Sequence, residues 1–254
     1  MQLPVIPGTA GPSVPGPEPP ELVPRAAQHH RWTSLSFLHW PYPPEVVQAM
    51  LPAGLRVDRF DGQAWVGLIP FRLDIRVPGI PYLPWAGRFV ETNVRTYVRA
   101  ADGTRGIWFL SLDAQRLGAV VAARTAWSLP YLWSDMRLTR EREHITYECR
   151  RRWPGTRHPT SRIGLDIGDA YRPDELEAID HFLTARWTLF SRRGRSLTRT
   201  QAHHVAWPLR RAIVTELDDH LVGATGLPRP SGAPRALFSD GVDVRLGTRR
   251  RVER

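Results

Sequence analysis

The chain contains no lysine. All 35 of its basic residues are arginine, set against 25 acidic ones, for a formal net charge of +10 over 254 residues. Without an ε-amine no side chain can form a Schiff base with a carbonyl substrate, so decarboxylation through an imine is excluded. Cysteine is nearly absent too. Cys149 stands alone, which rules out an internal disulfide and any cysteine-based zinc cluster. A lone thiol leans toward a reducing, cytoplasmic setting. Hydrophobic runs are short and none reaches transmembrane length, so no membrane partner is expected. Phosphate-binding glycine loops, His-Glu-x-x-His and nucleophile elbows are all missing, and no metal or cofactor is expected.

The positive charge raises the question of nucleic acid. Its distribution argues against that partner. Clusters occur at Arg150–Arg152, Arg192–Arg195 and Arg249–Arg251, and none is interleaved with aromatic stacking residues. Scattered arginine of this kind describes a solvated surface with weak, salt-sensitive attraction to polyanions.

What is present is the composition of a globular domain, 42% hydrophobic and 24% charged, long enough to bury a sizeable core. Residues 1–28 are rich in Pro and Gly, expected to be disordered, and make a poor signal peptide because Pro breaks their apolar stretches. Residues 29–247 show no composition shift and read as one domain. Residues 248–254 form a basic tail, expected to fray.

Within the domain, strands are expected at Trp32–Trp40, Phe89–Arg99, Ile107–Asp113, Met136–Arg140, His144–Arg152, Arg162–Ala170, Trp187–Ser191, Gln201–Trp207, Leu209–Glu216 and Ala236–Leu246. Leu55–Phe60 and Gln63–Val77 suggest a hairpin around Asp61-Gly62. Pro70 marks an edge or a bulge. Short helices are expected from Pro44 to Met50, over Ala114–Trp127, from Pro173 toward Arg186 and over Asp218–Gly226. The loop from Pro78 to Gly87 is placed to act as a lid or mouth. Many closely spaced strands with few helices make a mainly β, α+β antiparallel barrel or sandwich.

The stretch Phe89 to Arg99 alternates strictly. Val90, Thr92, Val94, Thr96 and Val98 fall on one face; Phe89, Glu91, Asn93, Arg95, Tyr97 and Arg99 fall on the other. On pattern alone this is a half-exposed antiparallel strand. The same polar row, flanked by aromatics, would also suit the inside of a barrel.

Phe89-Val-Glu91-Thr-Asn93-Val-Arg95-Thr-Tyr97 and Phe109-Leu-Ser111-Leu-Asp113-Ala resemble the YqjF-like family, a group defined as a domain of unknown function. Phe37-Leu-His-Trp40-Pro41, Ala64-Trp65-Val-Gly67, Leu129-Pro130-Tyr131, His204 with Trp207-Pro208-Leu209, and Ser239 with Val242-Asp243-Val244 match it in the same order. The resemblance spans residues 31 to 246. It implies an acetoacetate decarboxylase-like fold, a β-barrel around a buried pocket, and it favours the interior placement of the polar row.

The parent enzyme's motif is Arg-Glu, four residues, then Pro-Lys. Here Arg124 matches, Thr125 replaces the Glu, and Tyr131 follows Pro130 where the nucleophilic Lys would stand. The frame of the pocket is implied to persist without the covalent chemistry. Arg124 and Arg95 would then bind a carboxylate or enolate oxygen, or else pair with Glu91 and Asp113 inside the fold. Glu91 would shuttle a proton, and Tyr131 would donate to an oxyanion or simply pack. Asn93, Arg95, Tyr97, Asp113 and His204 are candidate substrate contacts; His204 reads equally as a surface or core histidine. Trp108, Phe109 and Trp127 read as core.

Two functions follow. One is a small-molecule enzyme acting on an oxo or carboxylate compound as a lyase, dehydratase, cyclase or isomerase. The other is a ligand-binding protein that kept the pocket and lost the chemistry. The parent's rings leave homo-oligomerisation open. The enzymatic reading is staked on Glu91 and Arg124 meeting in one enclosed cavity.

Overall fold

A computed structural model describes residues 23–82, 87–126 and 128–252. Trp127, the centre of the Pro78–Gly87 loop and most of the expected disordered segment lie outside the described residues.

Strand accounts for 57% and helix for 13% of the chain, so the fold is mainly β. The strands, in chain order, are β1 (Gln28–Tyr42), β2 (Leu55–Val57), β3 (Ala64–Arg76), β4 (Arg88–Ala100), β5 (Arg105–Ala114), β6 (Tyr131–Glu141), β7 (His144–Trp153), β8 (Thr160–Ala170), β9 (Thr188–Arg193), β10 (Ser196–His203), β11 (Leu209–Asp219), β12 (Arg235–Leu246) and β13 (Arg250–Arg251). The helices are α1 (Pro44–Gln48), α2 (Leu117–Ala126), α3 (Ala178–Thr184) and α4 (Leu221–Ala224). No helix among the described residues is long and apolar enough to cross a membrane.

All strands join one 13-stranded sheet that closes on itself. A shared wall runs β12-β1-β3-β4-β5. It closes twice, because β5 and β12 each serve two neighbours along their length. At one end β5 pairs with β6 at Leu112–Ala114, and β7, β8 and β11 lead back to β12. At the other end β5 pairs with β9 at Ile107–Trp108, and β10 reaches β12 at Leu246. The result is ring-like and forked.

The fork gives the wall two buried faces and explains the alternation in β4. Every residue from Phe89 to Val98 is buried. Phe89 and Tyr97 join a core with Phe37, Phe71, Phe109 and Phe182. Val90 and Val94 join a second core with Leu38, Trp40, Ile145 and Leu165. A half-exposed strand on pattern alone is thus an interior strand. Its small β-branched side serves one core while its polar side serves the other.

Several expectations are corrected. Asp61-Gly62 does turn, with both φ angles positive, but only the bridge Phe60–Gln63 forms there. β2 pairs with β4 instead of β3, through Leu55 opposite Ala100. The helix expected from Pro173 is broken: a 3-10 turn at Pro173–Glu175 precedes α3. Within the tail expected to fray, Arg250–Arg251 form β13 on β10, with Thr198 opposite Arg251. Of the edge or bulge expected at Pro70, the bulge is found: β1–β3 pairing shifts register between Thr33 and Leu38, opposite the part of β3 that holds Pro70.

Candidate active site

β4 projects Glu91, Asn93 and Arg95 along one line because side chains two apart share a strand face. Across the β3–β4 ladder, Phe71 stands opposite Glu91 and Ile69 opposite Asn93. β6 begins at Tyr131, held parallel to β5 with Leu112 opposite. These elements enclose a cavity of about 430 Å³, lined by Glu91, Asn93, Arg95 and Tyr131 and by apolar groups including Trp32 and Phe109. That size and character suit a small organic ligand.

On its lining the Tyr131 hydroxyl donates to Glu91 Oε2 at 2.7 Å. Glu91 is only 3% exposed. Burial raises its carboxyl from 4.5 to about 8; hydrogen bonds from Tyr131 and Asn93 offset part of the rise, and the Asp113 charge adds to it. Near neutrality the group is therefore mostly a neutral acid, with its ionised form within reach. Burial and the neighbouring Glu91 push the Tyr131 phenol well above its ordinary value, so it remains a donor. The Asn93 side-chain oxygen is buried without a hydrogen-bond partner.

Arg95 is 7% exposed. Its Nη2 donates to the Tyr97 hydroxyl at 3.3 Å and to the Leu183 carbonyl at 3.2 Å. Its Nε is buried and unpartnered, and no carboxylate among the described residues pairs with it. A buried guanidinium without a counter-ion is costly, and a bound anion would relieve that cost.

The other candidates stand elsewhere. Arg124 is exposed on α2. Its Nη1 donates to the Tyr131 carbonyl at 2.6 Å and its guanidinium stacks on Trp153 at 5.3 Å. It lines a different, outer cleft with Trp108 and Arg192. Glu91 and Arg124 therefore do not share a cavity, and the enzymatic reading staked on their meeting falls; the guanidinium that does share the cavity with Glu91 is that of Arg95. The helix turns Arg124 outward, where it steadies the backbone that carries Tyr131.

Asp113 is also outside the cavity. It alternates with Leu112, so it faces the second core, where Arg151 grips both its oxygens at 2.8 Å and Ser134 donates at 2.7 Å. It is a structural ion-pair partner. Tyr97 lies behind Arg95, donating to the Leu183 carbonyl at 2.8 Å with His39 at 2.6 Å. His204 is buried among Trp32, Trp187 and Trp207, its ring 4.9 Å from that of Trp207. Desolvation lowers it to about 4, and its Nδ1 lies 2.7 Å from the Val205 carbonyl. Neither Tyr97 nor His204 lines the cavity.

Sequence reading missed the cavity's apolar walls. One signal was available: Ile69, Phe71, Leu73 and Ile75 alternate along β3 and all line the cavity. The Pro78–Gly87 loop borders it through Ile80, Pro81 and Tyr82. Trp108 points away, packing against the small core of Leu55, Val98 and Phe190.

Comparison with known proteins agrees with this architecture. The model of the DUF2071 family, described as an uncharacterized conserved protein, matches residues 29–243. The uncharacterized protein YqjF of Bacillus subtilis (strain 168) is 32% identical over 220 residues, 84% of this chain and 87% of its own. Among solved structures, acetoacetate decarboxylase from Legionella pneumophila superposes with a TM-score of 0.60 at 15% identity, covering 98% of this chain and 92% of that one. The enduracididine biosynthesis enzyme MppR complexed with pyruvate gives 0.62 at 10% identity, covering 90% and 91%. At such identities the likeness is one of fold. The chain belongs to the DUF2071 family, and its fold is that of the acetoacetate decarboxylase-like proteins.

Proposed function

We propose that the chain is a small-molecule enzyme of the acetoacetate decarboxylase-like superfamily. It acts on an oxo or carboxylate compound by acid–base catalysis, without an imine. One observation carries this reading: a carboxyl raised to about 8 shares a cavity with a buried arginine that has no ion-pair partner among the described residues. Arg95 takes the part expected of Arg124 and holds the anionic end of the ligand. Glu91 moves a proton at the carbon beside the oxo group, and Tyr131 donates to the oxygen that gains charge. Isomerase, dehydratase and cyclase outcomes begin with enolisation, Glu91 taking the proton; a decarboxylating lyase reaches the same enolate by losing CO2, and Glu91 then gives a proton to the carbon. The pyruvate bound to MppR supports an oxo acid as the ligand class.

A panel of 2-oxo and 3-oxo acids, titrated by calorimetry with products followed by NMR, tests the proposal. Glu91→Gln is expected to abolish turnover with affinity kept within several-fold, and Arg95→Gln to weaken binding by about tenfold or more. Full turnover in Glu91→Gln would refute the role given to Glu91. A second reading is favoured by the chain's lack of lysine: a ligand-binding protein that retains the cavity. Binding of an acid with no product across the panel would establish it.

A further inference from the structure

The cavity is larger and more apolar than a short oxo acid needs. Its volume of about 430 Å³ has room for roughly fourteen water-sized groups, at about 30 Å³ each. A three-carbon oxo acid fills less than about half of that. Water left in the remainder would face Leu35, Leu73, Ile75, Ile107, Leu189 and Leu246, whose side chains offer it no hydrogen bonds.

Strand register orders the lining. Gly67 stands opposite Arg95, Ile69 opposite Asn93, Phe71 opposite Glu91 and Leu73 opposite Phe89. Arg95, Asn93 and Glu91 therefore run in that order toward the Pro78–Gly87 loop. Past Glu91 the β3 side chains on the cavity side are Leu73 and Ile75. From Phe71 to Ile75 an extended strand covers about 13 Å, the length of an alkyl chain of about ten carbons. Exposure rises in the same direction. At the far end Arg95 Nη2 donates to the Leu183 carbonyl of α3. Leu73 is 2% exposed, Ile75 is half-buried, and Ile80 of the bordering loop is 63% exposed. The guanidinium that lacks a counter-ion is thus the inner end, and solvent lies beyond the hydrocarbon. Arg76, also on the lining, is exposed at the outer end.

We infer that the ligand is an oxo acid with an apolar tail of about six to eight carbons. Its carboxylate sits on Arg95, its oxo end beside Glu91 and Tyr131, and its tail along Leu73 and Ile75 toward the Pro78–Gly87 loop. The inference rests on reading the cavity as the site of oxo-acid chemistry.

Calorimetry on the full chain with 2-oxobutanoate, 2-oxooctanoate and 2-oxodecanoate, and with plain butanoate and octanoate, reads the tail. Affinity is expected to rise about threefold per added methylene, and so by about thirtyfold or more from 2-oxobutanoate to 2-oxooctanoate. The plain acids should show the same increment. Ile75→Asn should cut the gain from chain length by about fivefold or more. Ile75→Ala keeps the wall apolar, and it decides the matter through a cut of about threefold if Ile75→Asn does not fold. Arg95→Gln should weaken the long acids more than Arg76→Gln does. A flat chain-length series, a gain untouched by Ile75→Ala, or a larger loss from Arg76→Gln than from Arg95→Gln would each overturn the inference. Turnover, followed by NMR in the same samples, separates it from the enzymatic reading. Product from 2-oxobutanoate with a flat series overturns the tail and leaves the enzyme. A chain-length gain without product from any oxo acid supports the tail site and refutes the enzyme.

Discussion

At Glu91 burial couples stability to pH. Below its ordinary value of 4.5 both folded and unfolded chains hold the proton. Between there and about 8 the unfolded chain releases it and the folded chain keeps it. The unfolded state then binds fewer protons, so stability falls as pH rises through this window and levels off above it. From pH 5 to pH 7 the loss attributable to this one group is roughly 2–3 kcal/mol. Glu91→Gln keeps an acceptor for the Tyr131 hydroxyl and removes the ionisation. Its melting temperature should therefore match the parent's near pH 5 and exceed it progressively toward pH 8. Parallel curves for the two proteins would show that Glu91 is not buried as described. Spacing alone placed Glu91, Asn93 and Arg95 on one side of one strand, and the family resemblance pointed that side inward. It could not place Arg124 or His204, because a helix's rotation and a loop's packing depend on neighbours remote in the chain.

Among the elements, β12 shows how a ring-like sheet tolerates sharp curvature. Gly241 sits opposite Thr33 of β1 with φ +137°, a conformation open to glycine. A Cβ there would lie 2.1 Å from the Trp32 carbonyl oxygen. Gly241→Ala should cost at least about 3 kcal/mol, with chemical denaturation as the measure. A loss below about 1 kcal/mol would mean that β1 and β12 part easily at this point. Strand existence was legible because period-two alternation survives in most of these segments. Partnership was less so. The Asp61-Gly62 turn suggested a hairpin, yet β2 crosses to β4, since a three-residue strand goes where its Leu55 can reach the core of Val98 and Phe190.

At the scale of the molecule, two cores share one wall. Residues of β1, β3 and β4 contribute to both, so neither core can open without exposing the other's lining. Denaturant unfolding should accordingly be a single transition. Far-ultraviolet circular dichroism and tryptophan fluorescence are expected to report the same midpoint. Separate midpoints would divide the protein into two cooperative units. The buried Asp113–Arg151 pair belongs to this scale as well: it ties β5 to β7 in the second core, away from the cavity that Glu91 lines.

The amino-acid sequence by itself determined the absence of a lysine side chain, the β-rich class and the polar side of β4. These follow from residue type and from the local two-residue repeat of an extended chain. Only the tertiary structure decided that both sides of that strand are buried, that Arg95 and not Arg124 shares a cavity with Glu91, and that Asp113 answers to Arg151. Each depends on which distant strands close the ring, and the strands that share the wall, unlike the order of residues along one of them, are selected by the burial of two cores at once.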